Sequence, residues 1–490
     1  MKNSRIRKLT LWKSRRIFSA PKSTGDSGES VRTGIDLRWF PKKQIQMEFR
    51  LFFPFSKACL PKVLWCFFFF CCHGWGTAQD PNVQYPPFKF RLDVSFTPLT
   101  KDQQEDEVKE ILAAQKNRDQ ADRWMMNYWN GAYPSYRWHQ ILMEVSRAHR
   151  GHKNGGRVVI MHLSIFDSLV EVWKHKNQQD QAAPFQNHPD VKKRGWNRDY
   201  SSFICEYSAA AGAAHRIIGY YFPNRKPFLD SLLESFKTAR LETGLQYPSD
   251  IEKGMQIGRQ IADQYISYAK TDRTDRIWQG QVPLGDSLWS GNPGKWDPMK
   301  RQWRPLTLKR ADQFRPGPPP RDWTQDMEEL RQFNATHKTS DIAWKWKSEP
   351  VWDHLLERKI LEYDLDPRAS AFAGAVFHTA RFDAIIAAWD GKYHYWGIRP
   401  FQYDPQFRPI LVDTPNFPGY PAGHTTVAGS IATVLSFLFP RDEGLFRELA
   451  LECSESRFEG GVHFRTDNEV GLEVGEKVGN QVIKAFAGVD

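Results

Sequence analysis

The sequence predicts an all-α protein built as two tandem four-helix bundles, and three observations carry that expectation. The body repeats itself at a nearly constant offset. His162, Asp167, Trp173 and Lys176 recur 216 residues later as His378, Asp383, Trp389 and Lys392. Gly212, Phe222, Pro223, Arg240, Glu242, Gly244, Asp250, Glu252, Gly254 and Gly258 recur 217 residues later as Gly429, Phe439, Pro440, Arg457, Glu459, Gly461, Asp467, Glu469, Gly471 and Gly475. Within each copy the apolar runs have helix length, and two of them stop at proline, which cannot continue a helix. Between the copies lies a Pro-, Gly- and Trp-rich stretch that separates two compact units.

The elements follow in chain order. Residues 1–78 read as a basic extension and a secretory signal. The first 62 residues hold 15 of the 68 Lys+Arg and 4 of the 57 Asp+Glu, so the rest of the chain carries 53 of each and nets to zero. The formal charge of +11 therefore belongs to the leader, and the body is no polyanion binder, which predicts no nucleic-acid partner. An apolar run over 63–72 behind basic residues, then Gly76 and Ala78, predicts cleavage near Ala78–Gln79 and a secreted or periplasmic protein. Met47 stands where an ordinary signal would begin, so residues 1–46 read as an upstream extension. Cys59, Cys66, Cys71 and Cys72 leave with the signal. Cys205 and Cys453 remain, and whether they pair stays open.

Residues 79–275 read as an N-terminal bundle without a site, 276–348 as an irregular connection, and 349–490 as a C-terminal bundle that carries the site. The patterns at 158–173 and 375–390 are mostly apolar on all faces. Those at 209–222 and 425–439 are rich in Ala and Gly, as central helices of a bundle should be. Segments near 226–240 and 442–453, then 250–270 and 467–487, complete four helices per copy. No apolar run in the body reaches spanning length, which predicts no stable membrane span.

Three clusters near the C-terminus carry the chemistry: Lys392 with Arg399-Pro400, Pro421-Ala-Gly-His424, and Ser456-Arg457 with His463 and Asp467. One Lys and two Arg bring enough donors to hold the oxygens of a tetrahedral oxyanion several times over. Gly423 opens a helix, where free N–H groups attract anions. The two histidines add a nucleophile or metal ligand and a general acid/base. Asp467, four residues beyond His463, is spaced to bond its other ring nitrogen. Asp383 matches Asp167 in the copy without histidines, so beside a catalytic reading stands a structural one, as an anchor for a buried Arg or Lys. Trp173 and Trp389 read as core.

Each cluster alone has an ordinary reading, such as a solvated helix end, a helix cap or a surface ion pair. The repeat separates these from a site. Opposite His424 stands Tyr207, opposite His463 stands Gln246, and opposite Arg399 stands Ala182 or Ala183, while Lys176 and Arg240 persist. One site per chain is expected, in the C-terminal half.

The three clusters resemble the type 2 phosphatidic acid phosphatase and vanadium-dependent haloperoxidase superfamily. Soluble haloperoxidases of that superfamily have two four-helix bundles, so the duplicated architecture favours this branch. The resemblance implies vanadate as cofactor, with His463 as its vanadium ligand. Lys392, Arg399, Arg457 and the Gly423 amide would hold its oxygens, and His424 would be the acid/base. The implied partners are hydrogen peroxide, a halide and a small organic acceptor, with a homodimer as a candidate assembly. Vanadium would act as a Lewis acid at V(V), and halide would leave as hypohalous acid.

The alternative within the superfamily is a secreted acid phosphatase without vanadate. His463 would then attack a phosphomonoester and His424 would protonate the leaving group. A third class is a non-catalytic oxyanion-binding protein. Two departures bear on the choice. Ala422 stands where the superfamily usually has Ser, so one hydroxyl contact worth about 1.5–3 kcal/mol is missing. Phe417, seven residues before His424, resembles the chloroperoxidase type more than bromoperoxidases with His there.

Overall fold

A computed structural model describes residues 85–116, 118–148, 155–195 and 201–488. The leader read over 1–78, with its signal and four cysteines, lies outside these residues. Among the described residues the chain is helical, with one isolated bridge between Leu288 and Gly397 and no strand. The all-α class is thus the observed one.

Three helices that no repeat signalled come first: α1 (Lys101–Lys116), α2 (Gln120–Asn130) and α3 (Tyr136–Ala148). The first copy supplies α4 (Arg157–Gln178), the single turn α5 (Pro184–Asn187), α6 (Glu206–Tyr221), α7 (Lys226–Leu241) and α8 (Pro248–Ala269). The connection then carries α9 (Thr324–Gln332) and α10 (His337–Ser348), followed by α11 (Val351–Glu362). The second copy supplies α12 (Pro367–Tyr395), the turn α13 (Pro400–Tyr403), α14 (Gly423–Leu438), α15 (Glu443–Glu459) and α16 (Arg465–Ala487). The last third of the connection is therefore helical rather than irregular. Thr336 caps α10 with a reciprocal bond to Thr339, a start signal hidden in a polar, Trp-rich stretch.

The copies match helix for helix: α4, α6, α7 and α8 against α12, α14, α15 and α16. In the first, α6 packs on both α4 and α8; in the second, α14 packs on α12, α15 and α16. Helices α4 and α12 pack on each other and join the halves. The repeated glycines explain the intimacy of these pairs. A Cβ at Gly258 would lie 2.1 Å from the Ala209 carbonyl oxygen, and one at Gly475 would lie 2.2 Å from that of Thr426. Gly254 and Gly471 meet Cys205 O and Ala422 O in the same way, at 2.4 and 2.8 Å. Any side chain there would force the helices apart, so backbone touches backbone along a glycine seam.

Two expectations need correction, and one open question is answered. Helix α12, with 29 residues, is long and apolar enough to cross a membrane by length and composition. The gapped apolar pattern concealed this, but 89% of its apolar window is buried inside the fold. Asp383 anchors no Arg or Lys. Its carboxylate accepts from the Leu306 and Thr307 amides at 2.9 and 2.8 Å and from the Thr307 hydroxyl at 2.6 Å, pinning the connection. Asp167 does the same for the lead-in, accepting from the Phe88, Lys89 and Phe90 amides at 2.7, 3.1 and 2.9 Å. Cys205 and Cys453 are both buried and free.

Candidate functional site

The three clusters meet at one place. Lys392 lies in the last turn of α12, and Trp396 closes that helix in the left-handed region. Pro400 begins α13, which leaves Arg399 extended at its cap and turned inward. Gly423 begins α14 behind Ala422, a cap with no side-chain acceptor, so the first N–H groups of α14 receive no side-chain cap. The Ala422 amide donates to Asp467 O at 2.9 Å, and Gly471 sits against Ala422 O, which fixes the Pro421–His424 loop to α16.

Lys392 and Arg399 have no solvent exposure, and Arg457 and His463 have 2% each. Their donors are aimed by backbone carbonyls. Lys392 Nζ donates to Pro418 O at 2.8 Å and to Gly419 O at 2.5 Å. Arg399 donates to Phe417 O from Nε and Nη2, both at 3.1 Å, and from Nη1 to Val462 O at 2.5 Å. Arg457 donates to Ser456 Oγ at 3.1 Å and to Ala343 O of α10 at 2.6 Å.

His463 is held from both sides. Its Nδ1 lies 2.9 Å from Asp467 Oδ2, and its Nε2 lies 2.9 Å from Arg399 Nη1. A carboxylate only accepts and a guanidinium only donates, so Nδ1 carries the proton and Nε2 presents its lone pair. The Phe464 amide also donates to Asp467 Oδ2 at 3.2 Å. The expected link between Asp467 and the second ring nitrogen is thus present.

The charges within this space are three cations against one carboxylate. Burial, then Arg399, drives the Lys392 ammonium well below its usual range, with Asp467 pulling the other way. Burial lowers Arg399 to about 10. Burial pushes the Asp467 carboxyl up, against Lys392 and Arg399. Burial, then Arg399 and Lys392, holds His463 well below its usual value. Such a surplus of buried positive charge is unfavourable alone and favourable around an anion.

His424 differs from the others: its side chain is exposed to solvent, although it lies below the general surface. That depth, then Arg457, Lys392 and Arg399, lowers its imidazole to about 3. Water reaching the ring offsets part of the first cause. Cys453 lies beneath it, with Sγ 4.0 Å from His424 O, and burial raises that thiol to about 12.

The residues fit a bound oxyanion such as vanadate by their donor set and by Gly423. A Cβ there would meet Trp389 Cζ3 at 3.1 Å and Lys392 Cε at 3.3 Å, so only glycine leaves the ammonium undisturbed beside the helix start. Trp389, read as core, lines this wall with Phe417, whose ring centroid is 5.4 Å from Lys392 Nζ. What the sequence did not reveal is the carbonyl cradle of Phe417, Pro418, Gly419, Val462 and Ala343. Backbone acceptors have no residue-type signature.

The first half keeps the frame and fills it differently. Glu206 occupies the position of Gly423, and its carboxylate lies 3.2 Å from Lys176 Nζ. Arg240 donates to Asn130 at 2.5 Å and to Gln246, beneath the Tyr207 ring at 4.4 Å. A cation that would face a ligand in the second half faces an internal carboxylate in the first.

The family model described as VCPO second helical-bundle domain matches residues 444–489. No curated protein matches the chain. Among solved structures, a bacterial vanadium-dependent iodoperoxidase is 19% identical with a TM-score of 0.51, covering 78% of this chain and 96% of that one. The apo form of a bacterial vanadium-dependent chloroperoxidase is 16% identical with a TM-score of 0.51, over 68% and 93%. Its holo form is 15% identical with a TM-score of 0.51, over 68% and 91%. The chain therefore has the helical fold of the vanadium-dependent haloperoxidases, and the matched family model spans the third of its three motifs, with Ser456, Arg457, His463 and Asp467.

Proposed function

We propose that this protein is a vanadate-dependent haloperoxidase that oxidises a halide with hydrogen peroxide to hypohalous acid and water. The observation that carries the reading is the His463 Nε2 lone pair, fixed by Asp467 on the far side and surrounded by Lys392, Arg399 and Arg457. Vanadate, when bound, would supply a Lewis acid that activates peroxide without changing oxidation state.

The chain's own groups do the rest. His463 offers Nε2 as the ligand atom. Asp467 acts through His463 as a positioning residue, keeping the proton on Nδ1. The Lys392, Arg399 and Arg457 donors and the Gly423 amide neutralise the oxyanion with dipoles already oriented by the carbonyl cradle. His424, the one member open to water, would hold or release a proton beside the bound oxyanion. We further propose, from the basic leader and its apolar run, that the chain is exported.

The test is halogenation of a cyclic diketone by purified protein with peroxide and chloride, bromide or iodide, with and without vanadate. Vanadate-dependent turnover, lost in His463→Ala, is expected. Absence of vanadate-dependent turnover with every halide rules the reading out. The phosphatase reading draws on Ala422, since a missing hydroxyl weakens a permanently held cofactor more than a transient ester. It requires phosphomonoester hydrolysis inhibited by vanadate and a phosphohistidine at His463.

A further inference from the structure

Three imidazoles meet where the two halves join. His139 on α3, His162 on α4 and His378 on α12 are 8%, 4% and 3% exposed. His378 precedes Lys392 by about 21 Å of helix at 1.5 Å per residue, so this cluster is apart from the oxyanion site. His162 and His378 are repeat mates, so the contact between α4 and α12 places one residue of the ancestral unit against its own copy.

The geometry is close. His139 Nδ1 lies 3.1 Å from His162 Nε2. The rings of His162 and His378 are 4.1 Å apart at their centroids, and those of His139 and His378 are 5.4 Å apart. One nitrogen from each residue can be chosen so that all three lie within 4.8 Å of one another. His162 Nδ1 and His378 Nδ1 have no hydrogen-bond partner among the described residues. A Cβ at Gly374 would come within 2.8 Å of His162 Nδ1, so glycine leaves that ring its place.

The charged groups nearby are Arg381 and Asp353, which pair through two bonds of 2.8 Å and largely cancel. Burial lowers all three imidazoles, which keeps them neutral, the form in which a ring nitrogen binds a metal. A hydrogen-bonded stack of core histidines would account for one of the three contacts. It leaves His378 Nδ1 buried and unpaired, which is costly.

We propose that His139, His162 and His378 form a three-imidazole site for a divalent cation of the zinc class, pinning the two halves together. The ligand class follows from the donors. Neutral nitrogen ligands without carboxylates suit zinc and its late first-row neighbours and do not suit calcium or magnesium. Two nitrogens on one tetrahedral zinc at 2.0–2.1 Å stand about 3.4 Å apart, so the 3.1 Å pair is nearly in place and the third ligand closes by ring rotation.

The test uses the full chain freed of metal with a chelator. Co2+, as a spectroscopic stand-in, and Zn2+ are added to wild type, His162→Phe, His378→Phe and His463→Ala. Phenylalanine keeps a ring in this apolar setting, and circular dichroism verifies the fold of each variant. Wild type and His463→Ala should each bind one equivalent more than His162→Phe or His378→Phe, show the visible bands of tetrahedral Co2+, and melt higher with Zn2+. Affinity at this equivalent should fall by about a hundredfold or more in the two phenylalanine variants. The variant comparison cancels binding by leader cysteines. Absence of the bands and of the Zn2+ shift in wild type, or an equal response in folded His162→Phe, would overturn the proposal.

Discussion

Oxyanion affinity should depend on pH through His424. Without an anion, depth and the charges of Arg457, Lys392 and Arg399 hold this imidazole at about 3. An oxyanion among those cations reverses the local sign. The two charges of sulfate about 5 Å away, at an effective dielectric constant of about 40 for a ring open to water, contribute roughly 3.3 kcal/mol, or about 2.4 pKa units. The bound-state value then lies at about 5.5. Binding takes up a proton between the free and bound values, so affinity rises as pH falls through the bound value. Sulfate is a suitable probe, because its own charge is constant over the useful range. Calorimetry should give a flat dissociation constant from about pH 7 to 5.5, then about tenfold tighter binding by pH 4.5. In histidine-labelled protein, the ring resonance of His424 should titrate higher with sulfate than without. His424→Phe should abolish the slope. A slope that survives in His424→Phe, or a His424 resonance indifferent to sulfate, refutes the reasoning.

Other outcomes follow from the same geometry. Lys392→Met removes a charge-assisted donor worth about 1.5–3 kcal/mol, so vanadate or phosphate should bind about 10- to 150-fold more weakly by calorimetry. Asp383→Ala leaves the Leu306 and Thr307 amides without their acceptor; urea unfolding should register a loss of about 2–5 kcal/mol, with oxyanion affinity unchanged. Among the described residues eight histidines, His139, His162, His378, His424 and His463 among them, have folded-state values below the unfolded one. The unfolded chain then binds more protons, so stability is full above about pH 6.5 and falls as pH drops below it. Denaturation at pH 7 and 5 should show the loss, and added sulfate at pH 5 should recover part of it.

Much of this was legible in the sequence, for physical reasons. Helices α4, α6, α12 and α14 announced themselves because they are apolar on most faces. Phe222-Pro223 and Phe439-Pro440 mark real ends, since proline removes the donor that the next turn needs. The site was legible because duplication supplied a reference: residues held in both copies are scaffold, and His424 and His463 stand out by differing. Other features left no such trace. Helices α9 and α10 hide in a Pro- and Trp-rich stretch whose composition resembles loop. Of the two readings of Asp383 the structural one is observed, but its main partners are amides, which no side-chain pattern can name. Even Trp389, whose ring belongs to the wall of the site, looks from its spacing like any core tryptophan.

The glycine seam has a consequence for design. Because α6 lies on α8 through the same glycines that set α14 on α16, the first half is a chassis of matching dimensions with different fittings. Glu206→Gly would withdraw the carboxylate that now pairs with Lys176, and Gln246→His would place an imidazole four residues before Asp250. The backbone spacing that aligns such groups is already in place. A chain engineered in this way should bind a second sulfate, and a two-site calorimetric isotherm would register it.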